Sequence, residues 1–513
     1  MNKCKGWLAG GTFELLEPLF TTEFFFKLPV RRYLLFATLT LLTGFWPLIG
    51  IAQKVKSIPF SYLPEQGEDR YNLRVPRKAL PLPAGVGFVI LAHQSAGGYA
   101  VERYDTELKR IWSTPVPVAA GETVEAFSRG PAQVWVVIHH TDEAEQNLTV
   151  QPVSLDGGQV GPRKVVVTAP SRDRRPGVAV SPDGTRLLAY RYFTRDEQVK
   201  TMQATLFDQN LSQTLARTYD FRDLGDFFSP GVHLANDGTQ YVTLIGSGMK
   251  QLTVRRYAAV AADLAVRVLG VPVGGVFEGR LVTIRDARFQ VLPDGRLYAA
   301  ALCADYETGD YRSLKTVRFD FSGPGDVKAA QEVRFTPAYL AEVTEATGTA
   351  PGRLEDIYLA DMLLTDEQRL VVIAEKHFEE GGPTLPVRAR ELHLFGYNEF
   401  LSPTWHHILA KDQVAPAVDA YTGIGFRAAA FGDDIQLLTL ETLDKKSDLY
   451  LRRVAGRSGT ISAPQRLKLG VADDQQLAYV KDFTTWIDAK TIIGVSRPNK
   501  KSAALQLNKV SVK

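Results

Sequence analysis

The sequence predicts an all-β protein, a β-propeller with eight four-stranded blades, and three observations carry that prediction. Eight tight-turn signals recur along residues 81–513, each followed by a strongly apolar run. An alternating apolar and polar stretch comes after each run, as expected for a strand with one buried face. The turns are spaced by about one blade built wholly of strands, which separates a propeller from a helical solenoid. Seven blades are the alternative, if the turns near Gly130 or Lys490 belong to neighbouring sheets.

The turn signal is clearest in three Asp-Gly pairs, which end at Gly184, Gly238 and Gly295. Asp-Gly between apolar runs favours the positive φ of a two-residue hairpin turn. Weaker copies complete the series at Gly85, Gly130, Glu367, Asp434 and Lys490. Successive turns lie 45, 54, 54, 57, 72, 67 and 56 residues apart. The gap of 72 contains residues 336–353, whose apolar side chains have helical spacing and predict a short helix between blades five and six.

The eighth unit has only three predicted strands, so the ring needs a fourth from elsewhere to avoid an exposed sheet edge. The apolar segment Ser57–Leu63, or the nearby residues 71–76, is expected to supply it. In the first segment we expect four buried side chains: Ile58, Phe60, Tyr62 and Leu63. Alternation places Ile58, Phe60 and Tyr62 on one face.

The N-terminal region carries an export signal. Lys27, Arg31 and Arg32 precede an uncharged run from Tyr33 to Gln53, and Gly50-Ile51-Ala52 fits a small-x-small cleavage site. The prediction is a signal peptide at 1–52 with a long basic region, a closing segment at 53–80 and the propeller at 81–513. An uncleaved membrane anchor is the alternative, because the run is long enough to span a bilayer. Both place the propeller outside the cytoplasm, in the periplasm or beyond, and any membrane association is expected only through residues 33–52.

Composition excludes several function classes. Residues 53–513 contain 55 Lys and Arg against 54 Asp and Glu, so no concentrated basic face for nucleic acid is expected. Cys4 precedes the export signal, which leaves Cys303 alone and permits neither an internal disulfide nor a cysteine-based zinc cluster. No motif for a phosphate loop, an EF-hand or a zinc protease is found, so no cofactor and no metal are predicted.

Two segments resemble known repeat families. The copies around Ser181-Pro182-Asp183-Gly184 resemble the repeats of Tol-type propellers and of propellers in prolyl-oligopeptidase-like proteins. Trp405 through Lys411-Asp412-Gln413 resembles a signature of uncharacterised exported bacterial repeat proteins. The first resemblance implies a propeller fold, and neither implies a particular activity.

Candidate site residues follow from position in the blade. If the turns lie on one rim of the disc, the far ends of the following apolar strands lie on the other rim, around the central channel. Polar side chains gather at those ends, and the candidate ligand-binding residues are His93, His140, Arg191, Asp305, Glu375, His377, Glu441 and Arg497. The alternative explanation is that strands simply end in polar residues at a surface.

The sequence favours a non-enzymatic binding or scaffold protein that presents a face to a protein, a peptide or a glycan. No G-x-S-x-G elbow and no hydrolase domain accompany the propeller. The alternative is a propeller enzyme, a hydrolase or lyase acting on a polysaccharide or peptide, with Glu375 and Asp305 as the best candidates for acid and base. Two carboxylates facing one deep pocket would favour the enzyme.

Overall fold

A computed structural model describes residues 54–63, 75–94, 98–196, 198–225, 227, 230–260, 266–321, 326–382, 384–474 and 476–512. Residues 53–513 form one compact unit. The described residues build eight antiparallel sheets arranged as an eight-bladed β-propeller, which confirms the predicted fold class. The predicted signal segment lies outside the described residues.

The first four blades follow the opening strand β1. That strand spans Lys54–Phe60, and blade 1 contains β2 (Ala79–Pro81), β3 (Phe88–Gln94), β4 (Gly98–Tyr104) and β5 (Arg110–Val116), with a 3₁₀ turn at Pro83–Gly85. Blade 2 contains β6 (Glu122–Arg129), β7 (Gln133–Thr141), β8 (Glu145–Ser154) and β9 (Lys164–Pro170). Blade 3 contains β10 (Gly177–Val180), β11 (Leu187–Arg195), β12 (Gln198–Phe207) and β13 (Gln213–Asp220). Blade 4 contains β14 (Gly231–Leu234), β15 (Gln240–Gly246), β16 (Gln251–Tyr257) and β17 (Arg267–Pro272).

Blades 5 and 6 carry additions to the four-strand plan. Blade 5 contains β18 (Gly275–Phe277), β19 (Arg280–Val291), β20 (Leu297–Asp305), β21 (Tyr311–Phe319), β22 (Val327–Ala329) and β23 (Val333–Arg334). Helix α1 (Pro337–Thr347) follows. Blade 6 contains β24 (Ile357–Leu364), β25 (Leu370–Glu379), β26 (Val387–Tyr397), β27 (Pro403–Leu409) and β28 (Gln413–Ala415). Blade 7 contains β29 (Phe426–Phe431), β30 (Asp434–Leu443), β31 (Lys446–Ala455) and β32 (Gln465–Arg466). Blade 8 contains β33 (Tyr479–Asp488), β34 (Thr491–Ser496) and β35 (Leu505–Ser511), joined by β1.

In seven blades the predicted turn connects the first strand to the second, and in blade 5, where the short β18 comes first, it connects β19 to β20. The turns at Gly184, Gly238 and Gly295 are longer than the two-residue hairpins that we expected, and this detail of the prediction is wrong. In the first of them the N–H of Gly184 donates to the carbonyl of Ser181 at 2.8 Å. Only the glycine adopts positive φ, at +69° in Gly184. The Asp183 carboxylate instead accepts the N–H of Thr185 at 3.0 Å and holds the turn from within.

The ring closes as predicted, with β1 as the outermost strand of blade 8. Strand β1 pairs with β35 from Lys54 opposite Ser511 to Phe60 opposite Leu505. Phe60 is buried between blades 8 and 1, and Ile58 and Tyr62 pack against the same cluster. Leu63 is 46% exposed, because the strand ends before it, so its predicted burial is wrong. The segment from 71 to 74 lies outside the described residues.

Helix α1 lies between blades 5 and 6, as the helical spacing predicted. Its first turn is capped by Thr336, whose side chain accepts the N–H of Tyr339. Tyr339 and Val343 are buried in the core shared by the two blades, whereas Ala346 is exposed. None of the helices in the described part of the chain has the length and hydrophobicity needed to cross a bilayer.

Candidate ligand-binding cavity

A cavity of about 610 Å³ opens among the strands that contact one another from blade to blade around the propeller axis. The strands that line it are β2, β19, β24, β29 and β33, from blades 1, 5, 6, 7 and 8; β19 takes this position in blade 5, where the short β18 precedes it. Two residues of β25, Glu375 and His377, also line the cavity. Its charged lining residues are Arg77, Arg288, Asp361, Glu375, Arg427, Lys481 and Asp482.

Each carboxylate of the wall has a cationic partner. Asp482 accepts a hydrogen bond from Arg427 at 2.7 Å. Lys411, whose side chain has no exposed surface, places Nζ 2.8 Å from Oε1 of Glu375. Asp361 lies 3.8 Å from the Arg288 guanidinium, across the gap between blades 5 and 6. The acidic groups are thereby compensated before any ligand enters.

Two cations of the wall, Arg77 and Lys481, have no ion-pair partner in the described part of the chain. Arg77 is exposed, whereas the residue of interest, Lys481, is half-buried. Its Nζ has neither a hydrogen-bond nor an ion-pair partner within the described ranges. Burial lowers the pKa of Lys481 to about 8, and although nearby Glu375 opposes this shift, Arg427 adds to it. Because Lys481 is half-buried and its ammonium has no counter-ion in contact, an entering anion would relieve an unfavourable charge.

Gly425 keeps the space between Lys481 and Glu375 open. A Cβ at this position would lie 3.0 Å from Nζ of Lys481 and 3.5 Å from Oε2 of Glu375. The backbone there has φ of +98°, which favours glycine over any other residue. The ammonium and the carboxylate therefore border the same small volume, which the chain itself leaves empty.

His377 contributes an aromatic surface to the same wall. Its ring stacks on Tyr358, with centroids 4.3 Å apart, and meets the edge of Tyr421 at 5.0 Å. Burial lowers the pKa of His377, which favours the neutral imidazole. Nδ1 is buried and has no hydrogen-bond partner in the structure described here. The cavity thus combines an unpaired cation, compensated carboxylates and a neutral imidazole.

Of the eight residues predicted from the sequence, the structure brings two together in this cavity, Glu375 and His377. They lie two residues apart on β25, at an irregularity of the strand pairing. Bulges of this kind re-aim side chains and are common beside functional sites. The other six do not line the cavity.

Three of those six are engaged in ion pairs or turn contacts within their own blades. Glu441 forms a buried ion pair with Arg452, with nitrogen–oxygen distances of 2.5 and 3.0 Å. Asp305 accepts the N–H groups of the following turn, from Glu307 at 3.0 Å and Thr308 at 2.9 Å. Arg497, only 2% exposed, donates to Asp474 at 3.0 Å. A structural role is sufficient to explain these three polar residues.

The remaining three lie on other parts of the disc. Arg191 donates to the carbonyl of Thr168 at 3.0 Å and to Gln203 at 3.1 Å. His93 lies 2.9 Å from the carbonyl of Leu63, and its ring stacks on Tyr99. His140 is half-buried in β7, and its Nδ1 has no hydrogen-bond partner in the described structure.

Sequence reasoning missed Lys481, Arg427 and Arg77, because it followed the second strand of each blade. The sequence did contain a usable signal, a charged residue within the half-apolar strand that precedes each turn, because that strand lines the propeller axis. Lys481 and Arg427 both fit this rule. Among the described residues, no three His, Cys, Asp or Glu side chains form a group that could hold a metal ion.

No family model matches the chain, and no curated protein matches it. Similar solved structures include the polysaccharide lyase Uly1, at 11% identity over 76% of this chain and 90% of that one, with a TM-score of 0.40. The BP39L lectin from Burkholderia pseudomallei has 12% identity over 76% and 97%, with a TM-score of 0.40. Porphyromonas gingivalis dipeptidyl peptidase 4 has 8% identity over 86% and 67%, with a TM-score of 0.39. At these values the similarities carry no argument about function, and the resemblance to Tol-type repeats has no family match.

Proposed function

We propose that this chain is an exported, non-enzymatic propeller that binds an anionic ligand in its central cavity. The unpaired ammonium of Lys481 carries the proposal. Most buried cations in proteins have an acidic partner, because an isolated charge loses its hydration without compensation. Here Glu375, which lines the same cavity, is already paired with Lys411 at 2.8 Å, and Asp482 is paired with Arg427. A ligand carboxylate or sulfate is the natural counter-ion.

The surroundings of Lys481 support an anion over a neutral ligand. Arg427 lies on the adjacent first strand and donates its Nε to the carbonyl of Lys481 at 3.0 Å. Arg77 also lines the cavity and has no ion-pair partner in the described part of the chain. Charge-assisted hydrogen bonds from such groups are roughly twice as strong as neutral ones. The cavity volume is within the range that encloses a small organic molecule.

The test compares a carboxylate with its neutral isostere. Cyclohexanecarboxylate and cyclohexanecarboxamide are titrated into purified protein from residue 53 onward by calorimetry. We expect the carboxylate to bind more tightly by about tenfold or more, as a charged hydrogen bond of roughly 1.5–3 kcal/mol implies. Lys481→Met should abolish the difference. The matched control is Lys109→Met, since Lys109 is exposed and lies in blade 1 away from the cavity. Equal binding of both compounds to the wild type would refute the proposal.

The alternative, an enzyme acting on a polysaccharide or peptide, rests on one observation. His377 and Glu375 share the cavity wall, and the neutral imidazole has an unpartnered Nδ1 that could accept a proton. Its test is product release from acidic polysaccharides and from peptides, measured as new reducing ends or new amines. Turnover that is lost in His377→Ala would favour the enzyme, whereas binding without turnover in the same samples would favour the binding protein.

A further inference from the structure

The Glu375 carboxylate, which lines the cavity with Lys481, indicates a second functional group of the ligand, and this inference rests on the proposed function. Glu375 is buried and lines the cavity together with Lys481. Its Oε1 forms an ion pair with Lys411, and both carboxylate oxygens border the space that Gly425 leaves open, with Oε2 the nearer at 3.5 Å from the position of a Cβ and Oε1 at 3.7 Å. A carboxylate oxygen can only accept hydrogen bonds. A ligand that reaches Lys481 through this space therefore meets an acceptor next to the cation.

The charge on Glu375 is compensated and its position is fixed. Lys411 Nζ lies 2.8 Å from Glu375 and donates to Oε1 of Gln413 at 2.9 Å. Gln413 in turn donates to the carbonyls of Gly425, at 3.0 Å, and Leu440, at 2.7 Å. The backbone N–H of Gly425 donates back to Gln413 at 2.8 Å. Lys411 and Gln413, the two buried residues of the segment that the sequence analysis identified as a repeat signature, thus support the cavity wall.

Because Lys411 already neutralises the charge on Glu375, this carboxylate favours a neutral hydrogen-bond donor on the ligand. An ammonium from the ligand would be a third cation beside Lys411 and Lys481, whereas a hydroxyl adds no charge. Hydroxyl donation to a carboxylate is a short and strong hydrogen bond. Glu375 therefore favours a ligand hydroxyl over a ligand amine.

The aromatic side of the cavity fits a ring-shaped ligand. His377 and Tyr421 line the wall, with the edge of one ring against the other at 5.0 Å. The electron-rich faces of aromatic rings attract polarised C–H groups, which cover the faces of a sugar ring. A cavity of about 610 Å³ has room for more than one such ring.

We propose that the ligand is a sugar acid, whose carboxylate pairs with Lys481 while an adjacent hydroxyl donates to Oε2 of Glu375. Glu375 is then the specificity-determining residue, and Lys411 is a positioning residue that never touches the ligand, since its side chain has no exposed surface. No covalent step is involved.

The experiment uses three probes of similar ring size: glucuronate, cyclohexanecarboxylate and glucose. We expect glucuronate to bind about tenfold or more tightly than cyclohexanecarboxylate, and glucose to bind more weakly than both. Glu375→Gln should reduce the preference for glucuronate over cyclohexanecarboxylate to about threefold or less, because an amide accepts a weaker hydrogen bond. Glu379→Gln is the matched control, an exposed residue at the end of the same strand, and should keep the full preference.

The outcomes separate this inference from the proposed function. Equal binding of glucuronate and cyclohexanecarboxylate refutes hydroxyl recognition and leaves anion binding standing. Failure of every anion to bind refutes both. If Glu375→Gln does not fold, the ratio of the wild-type affinities for glucuronate and cyclohexanecarboxylate still tests whether a ligand hydroxyl is recognised. An unchanged ratio in a folded Glu375→Gln protein overturns the role given to Glu375.

Discussion

Removing the closing strand should destabilise the whole propeller. The perturbation is deletion of residues 53–64, compared with the mature chain. The deletion takes away seven residue pairs with β35 and the Phe60 side chain, which is 6% exposed. It also removes two edge-to-face contacts with Phe483, from Phe60 at 5.2 Å and from Tyr62 at 4.8 Å.

The magnitude follows from these contacts. A fully buried aromatic side chain contributes about 1.5–3 kcal/mol, and half-buried Ile58 and Tyr62 contribute about half of that each. Each aromatic pair adds about 0.5–1.5 kcal/mol. The expected loss is about 5 kcal/mol in the free energy of unfolding. With an unfolding entropy of about 2.1 cal/mol/K per residue, this lowers Tm by about 5 °C for a domain of this size.

The assay is thermal unfolding of exported protein, with the signal intact so that secretion is unaffected. A matched pair on the same strand isolates packing from backbone pairing. Phe60→Ala should cost about 3 kcal/mol, whereas Val55→Ala, at a side chain 37% exposed, should change stability by no more than about 0.5 kcal/mol. An unchanged Tm in the truncated protein would refute the reasoning and make the terminal segment a linker.

Three further outcomes are expected. Anion affinity should fall above pH 8, where Lys481 loses its proton in the folded protein. The free energy of unfolding should rise between pH 8 and the ordinary pKa of a lysine, because in that range the unfolded chain still binds the proton that the folded chain has lost. Calorimetry and thermal unfolding across this range measure the two effects. Glu441→Ala should cost about 3–5 kcal/mol by stranding buried Arg452, without changing the binding preference, as unfolding and titration of one sample will show. N-terminal sequencing of exported protein should begin at Gln53, and retention of Tyr33–Ala52 in membranes would favour the anchor instead.

The fold could be predicted from the sequence because each blade has the same local pattern, a turn followed by an apolar strand. A turn at Gly184 or Gly295 is specified by its own residues, and the apolar run after it must be buried on both faces, as all nine residues of β20 are. The closing strand was predictable from a count, since three C-terminal strands leave one edge unpaired. Its start at Lys54 was not, because Lys54–Ser57 are exposed and have no apolar pattern.

The cavity was less predictable because it depends on which strand of a blade lies nearest the axis. Glu375 and His377 were found as polar residues after an apolar run, but the same rule also selected Glu441 and Arg497. Those two side chains have charged partners: Glu441 pairs with buried Arg452 on the next strand, and Arg497 pairs with exposed Asp474 in the segment before β33. These pairs depend on strand register and on the path of the connecting segment, which the local pattern around either residue does not specify. Only the three-dimensional arrangement separates a compensated charge from a free one.

Blade 8 combines strand β1 with the three last strands of the propeller, and this has a consequence for the order in which the molecule folds. Ser57 and its hydrogen-bond partner Asn508 are 451 residues apart in the chain. Closing a loop of this length costs more conformational entropy than closing a hairpin within a blade. Blades 1 to 7 contain only local pairings and can form first, so the last contacts to form are those between β1 and β35. The slow step of maturation is therefore expected to be ring closure, and a chain stopped short of Leu505 should keep an exposed, aggregation-prone strand.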